Sequence, residues 1–271
     1  LNIRLGDFKQ LLNTPRVAVI GLISEYLLLP LLSILLIYLF QPPASIALGM
    51  MMIACCPGGS VSNFMVHLAD ANAALSVLLT SITTLAAIVI LPLAFSFWIL
   101  FLPVSSSVTS LSVDPWGMIQ TVVQLVAFPV GVGMYCRQRF PRWTARAEPW
   151  VRNLSMLIFL SFVVFAILGN YDNIVAYLHV VFWVVVIHNL LAFLVGYYFA
   201  RWNRLSIRDA RTISIETGIQ NTGLGLILAF NFFDGIGGMT LVLAWWGIWH
   251  LISGLALATY WSRSAVRTTD C

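Results

Sequence analysis

Charge is what this chain has least of. Only 9% of its 271 residues are charged and 60% are hydrophobic, whereas a soluble domain carries about 25% charged residues. With a mean hydropathy of +0.93, too little polar surface remains to face water, which excludes a soluble globular protein. Cysteine is scarce as well. There are four, two of them adjacent at Cys55 and Cys56, so the spaced pairs of a zinc site are missing. Cys136 and Cys271 fall on the side read below as cytoplasmic and reducing, so no disulfide is indicated either. The glycine-rich run at 235–238 lacks the lysine of a phosphate-binding loop, and no nucleotide motif occurs. An ATP-driven mechanism therefore has no support. A signal-peptide pattern is also missing.

Long hydrophobic runs are abundant. At about 20 residues per crossing, the apolar stretches predict eight membrane helices at 17–40, 44–68, 72–102, 116–136, 153–169, 175–200, 212–233 and 237–261. Short polar connections separate them, most clearly Gln41-Pro42-Pro43, 105–114 and 169–173. The fold class is an all-α polytopic membrane protein. Counting connections alternately puts all 14 Lys and Arg on one side: the N-terminal segment, the 137–152 and 201–211 loops, and the tail. Asp114, Asp172 and Asp234 fall on the other side, with no basic residue. One missed or invented span would scatter the arginines, so the partition supports the count, and it makes both ends of the chain cytoplasmic. The net charge of +4 is this ordinary inside bias and requires no nucleic-acid partner.

Two of the hydrophobic stretches are interrupted at mid-membrane depth, by CCPGGSVSN at 55–63 and ETGIQN at 216–221. In hydrocarbon an unpaired backbone group costs several kcal/mol, so an unwound segment survives only when buried in protein or lining a cavity. Each interruption falls in the middle helix of a triplet, and the two triplets have opposite sense. That is the inverted-repeat pattern of a secondary transporter, with two broken helices crossing at the binding site. The second triplet is preceded by a helical pair and the first is not, which leads to the expectation of a ten-helix protein truncated at its N-terminus, with eight helices present. The expected organisation is a cytoplasmic segment at 1–16, a first core half at 17–102, a partial panel at 115–172, a second core half at 175–261 and a cytoplasmic tail at 262–271.

The chemistry of the interruptions is that of a hard cation, which takes oxygen ligands. Ser62, Asn63, Ser76, Thr80 and Glu216 offer such a set, and Ser76 and Thr80, four apart, share a helix face. Membrane Ser and Thr also commonly bond back to their own helix, so neither hydroxyl is diagnostic alone. Glu216 carries more weight. A carboxylate at this depth costs at least about 2.5 kcal/mol and is functional by default. The half-helix N-termini at 60–63 and 220–223 present free N–H groups and positive dipole ends that suit an anion.

CCPGGSVSN, then Ser76 and Thr80, then ETGIQN, then WHLISGLALATYW from Trp249, together resemble the bile acid:sodium symporter family, in a bacterial-type member. The likeness extends to Asp7-Phe8 and His188-Asn189. It implies core and panel domains, a bacterial inner-membrane location, and symport of a bile-acid-like or pantoate-like organic anion with two co-transported Na⁺ ions. A first sodium site would comprise Ser62, Asn63, Ser76, Thr80 and Glu216. A second would use Glu216, Gln220 and the carbonyls of Thr217 and Ile219, together with residue 25. The family usually has Gln in a Q-[FY]-x-x-x-P pattern there, and this chain has Glu25-Tyr26-Leu27-Leu28-Leu29-Pro30. Glu25 either makes the second site tighter for Na⁺ or partly proton-coupled, or stays neutral and imitates Gln. Ser60, Asn221 and His250 would contact substrate, although Leu251 replaces an Asn common in the family. His67, His179 and His188 read as interface or structural residues, and Trp245, Trp246 and Trp249 as a packing or interfacial belt. Rival classes are a proton-coupled or non-transporting relative, a passive channel, and an intramembrane hydrolase using Ser60 or Ser62 with His250. The hydrolase leaves the buried carboxylates and the inverted repeat unexplained, so no catalytic residues are assigned.

Overall fold

The computed structural model describes residues 15–103, 115–168 and 171–264. The Asp7-Phe8 likeness, nearly all of the 1–16 segment, the whole 105–114 turn, the first two residues of the 169–173 turn, and the 265–271 part of the tail lie outside them. Among the described residues the backbone is helical apart from short connections: α1 (Pro15–Phe40), α2 (Ala44–Cys55), α3 (Val61–Leu68), α4 (Ala73–Phe101), α5 (Pro115–Arg139), α6 (Pro141–Leu168), α7 (Tyr171–Trp202), α8 (Ile207–Gly218), α9 (Thr222–Phe232) and α10 (Gly237–Arg263). The pairs α2–α3 and α8–α9 are the two broken spans, and every expected span is present. α1, α4, α5, α10 and the 177–202 stretch of α7 are each long and apolar enough to cross a membrane.

α6 and α8 show the largest early starts relative to the hydropathy. α6 begins at Pro141 rather than at 153, because proline suits a first helical turn and the polar residues after it can be helical outside the apolar stretch. α8 begins at Ile207 rather than at 212. Ser206 caps it by accepting from Asp209 N–H (3.1 Å), which satisfies one of the free N–H groups of a helix start.

The broken spans occupy the middle of the protein. In α2 every residue from Ile46 to Cys55 is buried, and in α8 every residue from Ala210 to Gly218. α10 packs on α2, α7 and α9, and α8 packs on α7. The α7–α8 contact is close because Gly196 has no side chain: a Cβ there would lie 2.9 Å from Ser214 Cα, the kind of backbone approach small residues permit between membrane helices. α5 and α6 are peripheral. α5 lies against α4, and α6 against α5 and α10. Around the outside, Leu35, Leu39, Leu93, Leu100, Phe128, Leu157 and Tyr198 are exposed. An apolar exterior of that extent is a lipid-facing surface rather than a solvated one.

Hydrogen bonds show which helix ends share a face. Arg16 Nη2 donates to Asn203 O (2.9 Å), Arg208 pairs with Asp70 (2.6 Å), and Arg211 Nη1 donates to Trp261 O (3.3 Å). The start of α1, the α3–α4 turn, the α7–α8 turn and the end of α10 therefore meet on one side, as the alternate counting of connections requires. On the other side Tyr38 Oη donates to Phe101 O (3.1 Å), joining the ends of α1 and α4.

α1 is not uniform. Ser24–Leu28 forms a π-turn closed by Leu29 N–H on Ser24 O, and α5 repeats the device at Val123–Ala127. In both, a proline follows, Pro30 or Pro129, which already removes one helical donor. The widened turn inserts a residue, so that consecutive Ser24 and Glu25 are both buried.

Candidate functional site

The two interruptions meet. Gly59 N–H donates to Ile219 O and Asn221 N–H to Pro57 O, both at 2.9 Å, which makes an isolated antiparallel bridge between Gly58 and Gln220. The unwound backbones thus satisfy part of each other's hydrogen-bonding demand in a place where water cannot. Further support comes from α7, where Asn189 Nδ2 donates to Gly218 O (2.7 Å) and holds the last carbonyl of α8. Asn189 Oδ1 is in turn held by Ser253 Oγ (2.6 Å).

Glu216, fully buried, sits beside this bridge at the centre of a hydroxyl cluster. Its Oε1 accepts from Ser62 Oγ (2.7 Å) and from Ser76 Oγ, and its Oε2 accepts from Thr80 Oγ1 (3.0 Å). Hydrogen bonds to a charged group contribute about 1.5–3 kcal/mol each, so those made at any moment offset part of the cost of an ionised carboxylate at this depth. Asn63 completes the cluster. Its Oδ1 accepts from Ser76 Oγ (3.0 Å) and its Nδ2 reaches Thr80 Oγ1 (3.4 Å). The structure therefore gathers Ser62, Asn63, Ser76, Thr80 and Glu216 from α3, α4 and α8 into one cluster. Lone pairs are in surplus there. The hydroxyls of Ser62, Ser76 and Thr80 carry one proton each but face three contacts to Glu216, one to Asn63 Oδ1 and one from Thr80 to Ser76 O (2.9 Å). At any moment some of those oxygens lack a donor, which is what a cation would use.

Glu25 faces the same bridge from α1 under different conditions. Both its carboxyl oxygens are buried without a hydrogen-bond partner. The Gly58 N–H acts on it electrostatically without meeting hydrogen-bond geometry. A Cβ on Gly58 would lie 3.0 Å from Glu216 Oε2 and 3.5 Å from Glu25 Oε2. The two oxygens are thus no more than about 6.5 Å apart, the sum of those distances, with a bare glycine between them. Gln220 adds another orphan: its Oε1 is buried and unpartnered, while its Nε2 is spent on Thr217 O (3.0 Å). Ile219 O already accepts from Gly59 N–H, so as a ligand it would use its second lone pair. The residues expected at a second site, Glu25, Glu216, Thr217, Ile219 and Gln220, all border this crossing.

The residues expected at the substrate are less gathered. Ser60 is exposed and Asn221 partly buried, each immediately preceding a half-helix, α3 and α9. They lie at opposite ends of the bridge, since Asn221 pairs with Pro57, three residues or roughly 10 Å from Ser60. Asn221 Oδ1 caps α9 through Leu224 N–H (3.1 Å). His250 is buried on α10 with an unpartnered Nδ1, and among the described residues no hydrogen bond joins it to Ser60 or Asn221. His188 is buried, with Nε2 at 2.9 Å from Ser33 Oγ and its ring edge-on to Trp246. His67 and His179 are exposed. Trp246 is fully buried, and Trp245 and Trp249 pack against Phe182, so this cluster packs α10 on α7.

Some contributors to the site were not singled out from the sequence. Ser24 Oγ lies 2.7 Å from Thr217 Oγ1, and Ser253 holds Asn189, a residue noted there only as part of the family likeness and not for its bond to Gly218 O. The π-turn that turns Ser24 inward leaves no periodicity signal. Asn72, by contrast, has one: an Asn directly before an apolar run is a cap signature.

A family model described as the Sodium Bile acid symporter family matches residues 1–177. The chain is 34% identical over 264 residues to the "Uncharacterized sodium-dependent transporter YocS" of Bacillus subtilis, an alignment covering 97% of this chain and 79% of that one. It is 30% identical to the "Probable sodium/metabolite cotransporter BASS1, chloroplastic" of Arabidopsis thaliana, across 100% of this chain but 65% of the relative. It is 32% identical to the Oryza sativa (subsp. japonica) protein of the same description, across 96% and 62%. The chain thus spans somewhat under two thirds of the plant relatives' length. These relatives carry the names of transporters rather than enzymes. With the family model matched over more than half its length and a third of its residues shared with a sodium-dependent transporter, the chain belongs to the sodium bile acid symporter family.

Proposed function

We propose that this protein is a sodium-coupled symporter of a small organic anion, working by alternating access with two Na⁺ ions. The observation that carries the reading is the hydroxyl cluster around Glu216, where oxygen lone pairs outnumber protons at the crossing of two unwound helices. A first Na⁺ is held by Ser62, Asn63, Ser76, Thr80 and Glu216. A second lies between Glu25 and Glu216, with Gln220 Oε1 and the carbonyls of Thr217 and Ile219. One carboxylate shared between two cations makes their binding cooperative, because the first ion orders and partly desolvates the site of the second. Glu25 and Glu216 face each other without a cationic side chain between them, so the second ion, or a proton in its place, supplies the counter-charge.

The substrate is a bile-acid-like or pantoate-like carboxylate bound near Ser60, Asn221 and His250, where the N-terminal ends of α3 and α9 offer N–H groups to an anion. α1–α4 and α7–α10 act as a core that moves against a panel containing α5 and α6. The arginine-rich face is cytoplasmic, in a bacterial inner membrane. The test is the thermal stability of the purified full-length protein in NaCl against KCl, followed by a screen of small carboxylates and sulfonates for Na⁺-dependent stabilisation. Stabilisation specific to Na⁺ and abolished by Glu216→Gln is expected. Equal responses to Na⁺ and K⁺ would sink the reading.

A further inference from the structure

Four residues in the first turns of α8 grip the α3–α4 turn. Arg208 pairs with Asp70 (2.6 Å), and Arg211 Nη1 donates to Ala69 O (3.2 Å). Asp209 Oδ1 accepts from Asn72 Nδ2 (2.8 Å). Thr212 bonds the backbone of Asn72: Asn72 N–H donates to Thr212 Oγ1 (2.9 Å), and the one proton of that hydroxyl is shared between Asn72 O (3.2 Å) and Arg208 O (3.1 Å). Asn72 meanwhile caps α4 through Leu75 N–H (3.1 Å). The spacing of these residues matters. Ser76 lies four residues beyond Asn72 on α4, and Glu216 four residues beyond Thr212 on α8. One helical turn, about 6 Å of rise, thus separates the Asn72–Thr212 pair from the Ser76–Glu216 hydrogen bond. Two helices running side by side in the same sense can slide or rotate against one another. A bond at their bases fixes the register in which Ser76 and Thr80 meet the carboxylate.

We propose that Thr212 is a positioning residue for the cation site: its hydrogen bonding with the backbone of Asn72 sets the register of α4 on α8 and thereby the affinity for Na⁺. The proposal rests on the sodium reading above. Thr212 is fully buried and Asn72 half-buried, so the bond is partly shielded from water. The Arg208–Asp70 pair is 54% and 63% exposed, and a solvated pair of that kind constrains little. The turn also links the arms it holds, with Ser62 and Asn63 before it and Ser76 and Thr80 after it. The single bond pair at Thr212 therefore orients ligands from both α3 and α4 toward Glu216.

The experiment is a Na⁺ titration of the thermal stability of the purified full-length protein, at constant ionic strength with KCl as balance, in four variants. Thr212→Val keeps shape and loses the hydroxyl. It is expected to raise the Na⁺ midpoint about tenfold, the usual scale for losing an outer-shell orienting group, and Thr212→Ser should restore it. Thr212→Ala also removes the hydroxyl, in a smaller side chain, and leaves the backbone of Asn72 without its partner, so it should move the midpoint in the same direction even if Thr212→Val does not fold. Arg208→Ala should leave the midpoint unchanged. An unshifted midpoint in Thr212→Val or Thr212→Ala, with only a lower melting temperature at every Na⁺ concentration, would reduce the contact to a structural one and overturn the proposal. So would an equal shift in Arg208→Ala. If the parent responds to Na⁺ and the variants keep its midpoint, the positioning role alone fails; if the parent shows no Na⁺-specific response, the sodium reading fails with it.

Discussion

Glu25→Gln is the substitution whose consequences the geometry defines best. The Oε2 atoms of Glu25 and Glu216 are no more than about 6.5 Å apart. For two full charges at that distance, an effective dielectric of about 20 gives a repulsion of about 2–3 kcal/mol. On the proposed reading a sodium ion between them would cancel the repulsion, so part of the binding free energy would be relief of strain present in the cation-free protein. Replacing Glu25 by the isosteric amide removes that repulsion in advance. The cation-free variant should therefore be more stable than the parent, and its gain on adding Na⁺ should be smaller. At about 1.4 kcal/mol per tenfold, the Na⁺ midpoint should rise by up to about two powers of ten. The assay is a set of melting curves in detergent across a Na⁺ series at fixed ionic strength, since salt alone screens charge. If a proton replaces one cation, acid should raise the parent's midpoint by competition and leave the variant's alone; identical pH profiles of uptake would remove the proton. Identical cation-free stability and identical midpoints in parent and variant would refute the reasoning altogether, and would mean that Glu25 is neutral and acts as Gln does elsewhere in the family.

Three further outcomes follow from named contacts. Gly58→Ala places a methyl group 3.0 Å from Glu216 Oε2, in the space between the carboxylates, and should weaken Na⁺-dependent stabilisation by more than it lowers the melting temperature in KCl. Ser76→Ala removes a donor to Glu216 and a bond to Asn63; it should raise the Na⁺ concentration for half-maximal uptake about tenfold, and an unchanged value would exclude Ser76 as a ligand. Asn189→Ala strands the Gly218 carbonyl at a cost of about 1–3 kcal/mol, so melting should fall with and without Na⁺.

The sequence was most legible where the solvent does the selecting. Eight apolar stretches and a one-sided distribution of arginine sufficed for the spans, because a bilayer penalises charge and exposed backbone by position and leaves little to tertiary context. The two interruptions were legible for the same reason. What hydropathy could not resolve was how the interruptions pair. Nothing in CCPGGSVSN or ETGIQN says that Gly59 meets Ile219 and Asn221 meets Pro57, since register between distant segments is set by the packing of α2, α8 and α10 around them. The π-turn at Ser24–Leu28 was invisible too. Glu25 could be noticed as a departure from a family pattern, but its unpartnered state and its position opposite Glu216 across Gly58 depend on that turn. Ser60, Asn221 and His250 show the limit most clearly: two of them mark half-helix starts that a sequence can indicate, yet they lie at opposite ends of the crossing.

On the sodium reading, that separation bears on how cation and substrate are coupled. Every side chain assigned to a cation comes from α1, α3, α4, α8 or the link between α8 and α9, and none comes from the peripheral pair α5 and α6. A displacement of α5 and α6 relative to the rest could change access without dismantling the cation sites. Coupling must then run through the crossing itself. Glu216 ends four residues before Gln220, whose bridge to Gly58 fixes where α3 and α9 begin, and Ser60 and Asn221 occupy those two starts. A cation that draws Ser62 and Asn63 of α3 toward Glu216 of α8 necessarily sets the relative placement of Ser60 and Asn221. The anion site is then complete only when the cations are bound, which requires that organic-anion binding be weak in KCl and that each ligand raise the affinity for the other by the same factor.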